Sequence, residues 1–320
     1  MNNENKPNFK VPNINFIGNR KIAFIIAGTL IAVSFLALII RFVNTGSPLN
    51  FSVDFVGGTE LQVSFEDDMR SEIGKIRQGV SSLGLGIPEV KLVASTGGVG
   101  TEMQITVKAQ GQDVSVRDKI EAELKKDFPG NSFSVLREET VGPKVGKELQ
   151  SDAVKAILLS IVVIVVYLAF RFKYPYGVAS IVAQTHDAII CIGLFALTGW
   201  EFSIPVLAAI LTVVAYSINS TIVIFDRVRE NLGNQAFAKM SFEDLVNKSI
   251  NETFTRNIIT TGSTLFVVLS ILFVFFGSGN VLENFAATLV VGFIAGTFSS
   301  LYIACAVLVL WNKKWGTLRK

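Results

Sequence analysis

The sequence holds one histidine, His186, and two cysteines, Cys191 and Cys305. A single histidine excludes a multi-histidine metal site. Both cysteines fall inside apolar runs, which argues for buried free thiols and against a disulfide framework or a metal pair. Charge is also scarce: 17% of the 320 residues are charged, against 50% hydrophobic. A soluble enzyme of this length rarely has that balance. No Ser/His/acid set, metal cluster or phosphate-binding loop is present, so nothing points to an enzyme, a cofactor or a metal. Nothing points to nucleic acid, and no fixed-period repeat or low-complexity tract occurs. What the chain has instead is a series of apolar runs of 18 or more residues, the signature of membrane-spanning helices.

Six such runs are legible. The first extends from Ile22 to about Val43, behind Arg20 and Lys21. It is too long for a signal-peptide core and lacks a small-residue cleavage site, so residues 20–43 read as an uncleaved first span. Before it, residues 1–19 form a polar, Asn-rich tail with Lys6 and Lys10, and an interfacial segment is expected around Phe16 and Ile17. The other runs cover about 154–170, 176–198, 203–225, 257–277 and 284–311, so that residues 153–311 hold spans two to six. Loop charges set the orientation. Arg171, Lys173, Arg227, Arg229, Lys239, Lys248, Arg256, Lys313, Lys314, Arg319 and Lys320 fall on one side; Glu201 and Glu283 mark the other. The positive-inside rule then places both termini, including the tail 312–320, in the cytoplasm.

Residues 44–152 form the one large polar region, outside the membrane by the same rule. It carries 12 Lys and Arg against 17 Asp and Glu; the rest of the chain carries 17 against 9. Its pattern predicts strands at Thr59–Phe65, Pro88–Ala94, Thr101–Lys108 and Ser132–Glu138. Helices are predicted at Met69–Leu83 and Val114–Phe128, with a turn at Ser95–Gly100. The order β-α-β-β-α-β is the ferredoxin-like arrangement. On the other side, residues 226–256 interleave apolar and polar positions. Ser241-Phe-Glu-Asp244 reads as the cap of an amphipathic helix running to about Asn251, lying under the membrane.

The chain is organised around residues 206–231. Tyr216, Ser217, Asn219, Ser220 and Thr221 sit inside an apolar run that ends in Asp226, Arg227, Arg229 and Glu230. Polar side chains at membrane depth are costly and usually face other helices or a wet cavity. At helical spacing Tyr216, Ser220 and Val223 share a face, with Asn219 beside it. Three further features stand out. Asp54-Phe-Val-Gly57-Gly58 follows the first span, and its glycine pair permits a turn before a strand. Gly142-Pro143 breaks the last strand of the polar region and can open a helix, as a hinge or rigid connector. His186-Asp187 lies inside the third run, where a charged Asp costs roughly 2.5–3.5 kcal/mol. Neighbours at i,i+1 diverge on a helix, so this pair is not expected to be self-contained; Gln184, Asp187 and Cys191 can share a face. Gly292, Gly296 and Ser300 form a small-residue ridge suited to close helix packing, with no chemistry of its own.

These motifs resemble the SecD/SecF family of bacterial protein-export membrane proteins. Residues 206–231 match the family's fourth-span pattern at Tyr216, Ser217, Asn219, Thr221, Phe225, Asp226, Arg227 and Arg229, among others. Ala215 stands where the family usually has Gly, and Ser220 where it usually has Asp. Asp54, Gly57 and Gly58 resemble the family's Asp-Phe-x-Gly-Gly signature, and Gly142 and Pro143 its Val-Gly-Pro element. The resemblance implies a six-span subunit of the resistance-nodulation-division type, paired with SecD and assisting the SecYEG channel and SecA motor. It implies use of proton-motive force to draw unfolded preproteins across the plasma membrane. Arg256 resembles the arginine that pairs with charges of the proton path. With Ser220 unable to titrate near neutral pH, three readings stand open. Asp187, with His186 and Arg256, carries the proton; SecD supplies the acid; or the subunit is a scaffold without coupling. Half of an efflux or lipid transporter is the alternative from another class.

Overall fold

The computed structural model describes residues 13–86, 88–93, 100–108, 116–277 and 281–318. Part of the turn expected at Ser95–Gly100, the start of the helix expected at Val114, and Lys6, Lys10, Arg319 and Lys320 lie outside the described residues.

Among the described residues, six helices are long and apolar enough to cross a membrane. They are α1 (Arg20–Thr45), α5 (Pro143–Arg171), α6 (Tyr174–Thr198), α7 (Ile204–Gly233), α8 (Phe242–Phe275) and a last one built from α9 (Val281–Phe298) and α10 (Cys305–Trp315). Their ends follow local chemistry. α5, α6 and α7 each carry a proline in the first turn, where the missing N–H costs nothing. Gly46 and Gly199 close α1 and α6 in the left-handed conformation. Ser241 caps α8, its Oγ accepting from Asp244 N at 3.1 Å.

Between α1 and α5 lies the polar region. It begins with β1 (Asn50–Phe51) and the single turn α2 (Val53–Val56). Then come β2 (Gly58–Phe65), α3 (Ile73–Ser82), β3 (Glu89–Val93), β4 (Thr101–Val107), α4 (Val116–Asp127) and β5 (Phe133–Val141). β2 to β5 form one sheet in the order β3-β4-β2-β5, antiparallel at every step. Leu61, Val63, Ile76, Ile105, Ile120 and Leu124 fill the space between this sheet and the two helices. The remaining strand, β6 (Glu201–Phe202), links α6 to α7 and pairs in parallel with β1.

The spans are unequally packed. α6 and α7 sit in the middle with α9 and α10, and small residues let them close up. A Cβ on Gly292 would lie 2.2 Å from Val213, and one on Gly193 would lie 2.1 Å from Ser34 of α1. α5 is the opposite: only Gly146 and Leu168 of its 29 residues are buried. α8 likewise turns Ile259, Phe266, Phe273 and Val274 outward. Such apolar surface fits lipid or a second helical body, not water.

Three expectations change. The helix capped by Ser241 does not stop near Asn251; no proline or glycine interrupts it before Gly262, and it runs unbroken to Phe275. Its apolar residues Leu245, Val246 and Ile250 face the protein rather than a membrane surface. Phe16 and Ile17 are buried in that same cluster, not interfacial, because Asn247 and Asn251 hold the backbone of Ile14 and Ile17. Finally, residues 143–152 belong to the same helix as the second span. Pro143 at its first position starts α5 inside the stretch assigned to the polar domain.

Candidate functional site

The fully buried carboxylate of the helical bundle, among the described residues, is Asp187. Its Oδ2 accepts from Ser217 Oγ of α7 at 2.6 Å and from Ser299 Oγ at 2.8 Å. Its Oδ1 lies 3.0 Å from Nδ1 of His186. That last contact corrects the expectation that adjacent residues would not meet: their Cβ directions diverge by about 100°, but the imidazole is long enough to close the gap. His186 Nε2 is buried with no hydrogen-bond partner among the described residues. Gln184 and Cys191 are buried on the same face of α6, as their spacing indicated.

Two devices bring three helices to this carboxylate. The first is Gly296, where a Cβ would lie 3.1 Å from Ser217 Cβ and 3.5 Å from Asp187 Oδ2. The small-residue ridge therefore does more than pack, since it leaves room for the acid. The second is a π-helical turn at Ser299–Ala304, between α9 and α10. Such turns insert one extra residue and recur at functional sites. Here both neighbouring serines reach the interior. Ser299 meets Asp187, while Ser300 lies 2.9 Å from Thr221 Oγ1 and donates to Ser217 O at 3.2 Å. No periodicity along the sequence announces this turn; the Ser299-Ser300 pair inside an apolar run is its one local signal.

The other candidates on α7 and α8 divide. Ser220 is buried but is not among the groups bonded to Asp187. Tyr216 is half-buried; its ring packs on Phe293 and its hydroxyl donates to Thr264 Oγ1 at 3.4 Å. Asn219 is exposed, in line with Ala208, Thr212 and Ala215. The buried face of α7 thus follows Val213, Ser217, Thr221 and Ile224 rather than Tyr216 and Val223. Arg256 is exposed on α8 and makes no ion pair among the described residues, so it does not join Asp187. The pairs Tyr216–Thr264 and Arg227–Glu252 fix the antiparallel register of α7 and α8. That register puts Arg256 about one turn from Asn219 in depth.

The remaining motif residues build two joints. At one end of the bundle, Asp54 Oδ2 accepts from Ser52 Oγ at 3.0 Å and from Ile204 N at 3.3 Å, capping α7. Gly57 (φ 78°) and Gly58 (φ 142°) follow. A Cβ on Gly57 would stand 2.8 Å from Pro143 Cα, and one on Gly58 2.3 Å from Val107 O. A Cβ on Gly146 would in turn stand 2.9 Å from Phe55 O, and Gln150 Nε2 donates to Phe55 O at 2.7 Å. The Asp-Phe-x-Gly-Gly and Gly-Pro motifs are therefore two halves of one backbone-to-backbone joint. At the opposite end, Asp226 accepts from Arg171 Nη2 at 2.7 and 2.9 Å, tying α7 to α5. Arg227 donates to Glu252 at 2.6 Å and Glu230 at 2.7 Å, tying α7 to α8.

A polar region inserted after the first of six membrane-type helices, joined to them through a double-glycine turn, defines a class of membrane transport subunit. The comparisons specify it. Residues 119–314 match the family described as protein export membrane protein SecD/SecF, C-terminal, and residues 45–69 match the SecD/SecF GG motif. The protein translocase subunit SecF of Calditerrivibrio nitroreducens is 38% identical over 302 residues, 93% of this chain and 94% of that protein. The subunit SecF of Desulfurispirillum indicum is 40% identical over 287 residues, 89% and 90% of the two chains. The subunit SecDF of Thermus thermophilus is 36% identical over 95% of this chain, which spans 39% of that longer protein. The crystal structure of Thermus SecDF, described as a translocon-associated membrane protein, superposes with a TM-score of 0.78 at 35% identity. It covers 95% of this chain and 40% of its own. The chain belongs to the SecD/SecF family.

Proposed function

We propose that this chain is a SecF-type subunit that works with SecD to assist protein export, with Asp187 as its proton-carrying group. The acid sits where three helices meet, in a family of protein translocase subunits, and that observation carries the reading. One charge crossing 100 mV releases about 2.3 kcal/mol, which a buried titrating group can convert into movement of the helices around it. The π-helical turn, which holds one of Asp187's donors, is the element that a change in its charge disturbs first.

The partner reading rests on surface. The SecDF relative carries a longer chain of which this one matches 39%. Here α7 exposes a strip of small and polar residues, Ala208, Thr212, Ala215 and Asn219, and α8 exposes Arg256 and Thr260. Polar groups at that depth are unfavourable against lipid and suit a second helical half, namely SecD. SecYEG, SecA, the moving preprotein and membrane lipids complete the set of partners. The subunit resides in the plasma membrane with both termini cytoplasmic and the polar domain outside, in keeping with the loop charges. That domain is ferredoxin-like: its chain order β-α-β-β-α-β and its sheet order β3-β4-β2-β5 support this. The chain acts as a transport subunit and not as an enzyme.

The test is proton flux in inverted vesicles holding this subunit with its SecD, compared with Asp187→Asn. Flux falls at least tenfold in the variant while the partner stays bound. Undiminished flux moves the proton path to SecD. A second reading, a scaffold without coupling, draws on Ser220 standing in place of the family's Asp; absent flux in both proteins with export still stimulated favours it.

A further inference from the structure

Where the polar domain meets the outer ends of α7 and α9 lies a small recess of about 20 Å³. It is bordered by Asp54, Glu60, Gln104, Glu139, Glu201 and Ser203. Glu201 belongs to β6, whose backbone is tied from two directions. The β1–β6 ladder pairs Asn50 with Glu201 and Phe51 with Phe202, and Asn284 Nδ2 donates to Glu201 O at 3.3 Å. Phe51, Phe55, Phe195 and Phe202 pack edge-on around it, so the seam is apolar on one flank.

The side chain of Glu201 has no such anchorage. It makes no ion pair among the described residues. The groups that face it are Glu60 from β2, Glu89 and Lys91 from β3, and Lys108 just past β4. Asp54 from α2 and Glu139 from β5 border the same space. The nearby cations are engaged elsewhere: Lys91 holds Glu89 at 2.9 Å, Lys108 donates to Asn50 Oδ1 at 3.1 Å, and Arg137 pairs with Glu139. Glu60 is itself half-enclosed and bonded to the Gln104 amide.

We propose that this seam is a proton-sensitive latch: Glu201 is neutral when the polar domain is seated on the helices, and its ionisation loosens the seat. The charge-free contact of Gly57 with Pro143 remains as the pivot. Burial, and then the facing Glu60 carboxylate, push Glu201 from the ordinary 4.5 up to about 7 in the closed seam. The sign follows from linkage. Below about pH 4.5 the open and closed states both hold the proton, and the seam is tightest. As pH rises from 4.5 to about 7 only the closed state keeps it, so closure weakens progressively. Above about 7 both states are ionised and closure is weakest and constant. The full change in the closing equilibrium is on the order of a hundredfold. Only the statement that the latch reads the external pH rests on the orientation proposed above.

The experiment is hydrogen–deuterium exchange on the purified full chain in detergent between about pH 8.5 and 5.5. Rates are corrected for intrinsic exchange chemistry and referenced to the β2–β4 core. Protection of Asn50–Phe51, Glu201–Phe202 and the first turn of α7 rises about tenfold or more as pH falls. Glu201→Gln abolishes that response and stays protected throughout. Glu60→Gln, which removes the facing like charge, moves the transition to lower pH. A flat response in the unmodified protein, or an unchanged response in Glu201→Gln, overturns the latch. An unshifted transition in Glu60→Gln overturns it too, and serves alone if Glu201→Gln does not fold. In liposomes the latch follows the pH on the side of the polar domain. A response in detergent that tracks cytoplasmic-side pH in oriented vesicles overturns the assigned orientation and leaves the latch standing.

Discussion

Asp187, inside the bundle, is a fully buried carboxylate, and Glu201, at the seam between bundle and polar domain, is a half-buried one. Asp187 is met from three helices by two hydroxyl donors and an imidazole. Glu201 is met by other carboxylates, with the neighbouring lysines turned to Glu89 and Asn50. A buried acid with partners is held by them, and changing its charge means rearranging the helices that supply them. A half-buried acid that faces like charges answers to the solvent pH by giving up its charge or leaving. The first arrangement suits a group that couples charge to helix movement. The second suits a group that registers conditions at a joint. The same contrast runs through the glycines: Gly296 makes room for a side chain, whereas Gly57 makes room for a backbone.

The most damaging way to break the comparison is to remove the seam. Gly57→Val places a Cβ 2.8 Å from Pro143 Cα at a φ of 78°. The strained angle costs about 1–3 kcal/mol and displacing the packed backbone about 1–3 more. Thermal unfolding in detergent therefore drops by many degrees, or folded yield is lost. Gly46→Ala is the contrast, because at φ 75° and ψ -1° it lies in the left-handed region with nothing within 4 Å of the added Cβ, whereas Gly57 at φ 78° and ψ 155° lies where essentially only glycine is found. Equal losses in the two variants would mean that neither the backbone angle of Gly57 nor its contact with Pro143 carries the expected energy.

A smaller effect sharpens the other half of the comparison. Ser217→Ala and Ser299→Ala each delete one donor to Asp187 Oδ2 and leave a buried acceptor one partner short, at a cost of about 1–3 kcal/mol. Both losses shrink in an Asp187→Asn background, where an amide nitrogen replaces one of the carboxyl oxygens. A double-mutant cycle on the midpoint of thermal unfolding measures the difference. Strict additivity would mean that the serines serve packing and not the carboxylate.

How far these two sites could be read without coordinates differs for a physical reason. The spans and strands follow from apolar runs and alternation, and the helix starts from Pro143, Pro175 and Pro205, because those signals are local. Asp187 was legible as costly, since no partner-free acid is cheap in a span. Its partners were not: Ser217 and Ser299 are 30 and 112 residues away, and a π-helical turn has no local periodicity to announce it. The double-glycine turn was legible as a turn, but that its neighbour would be Pro143 is a matter of tertiary approach. Arg256 misled because a charge in a motif invites an internal partner, while its helix turns it outward. Glu201 was read only as a loop charge that orients the chain. Its burial depends on a two-residue ladder between segments 151 residues apart, which no pattern along the chain encodes.

The smallest expected effect concerns a carboxylate that stays in water, and so marks the baseline for Asp187 and Glu201. Asp226 belongs to the most distinctive motif of the chain, and Arg171 Nη2 meets both its oxygens. Yet both side chains are 42% exposed. An exposed ion pair contributes at most about 1 kcal/mol and is screened by salt. Asp226→Asn therefore lowers the unfolding midpoint by no more than a few degrees at low ionic strength, and the difference closes at about 1 M salt. Glu252→Gln has the larger effect and keeps it in salt. That carboxylate is 16% exposed and is shared by Arg227, Lys248 and the Asn231 amide, so Glu252→Gln removes the charge all three face and turns one of its two accepting oxygens into a donor. If Asp226→Asn instead matches Glu252→Gln and resists salt, the Arg171 pair is shielded by a partner seated on that end of α7, and Asp226 belongs to an interface rather than to the solvated rim.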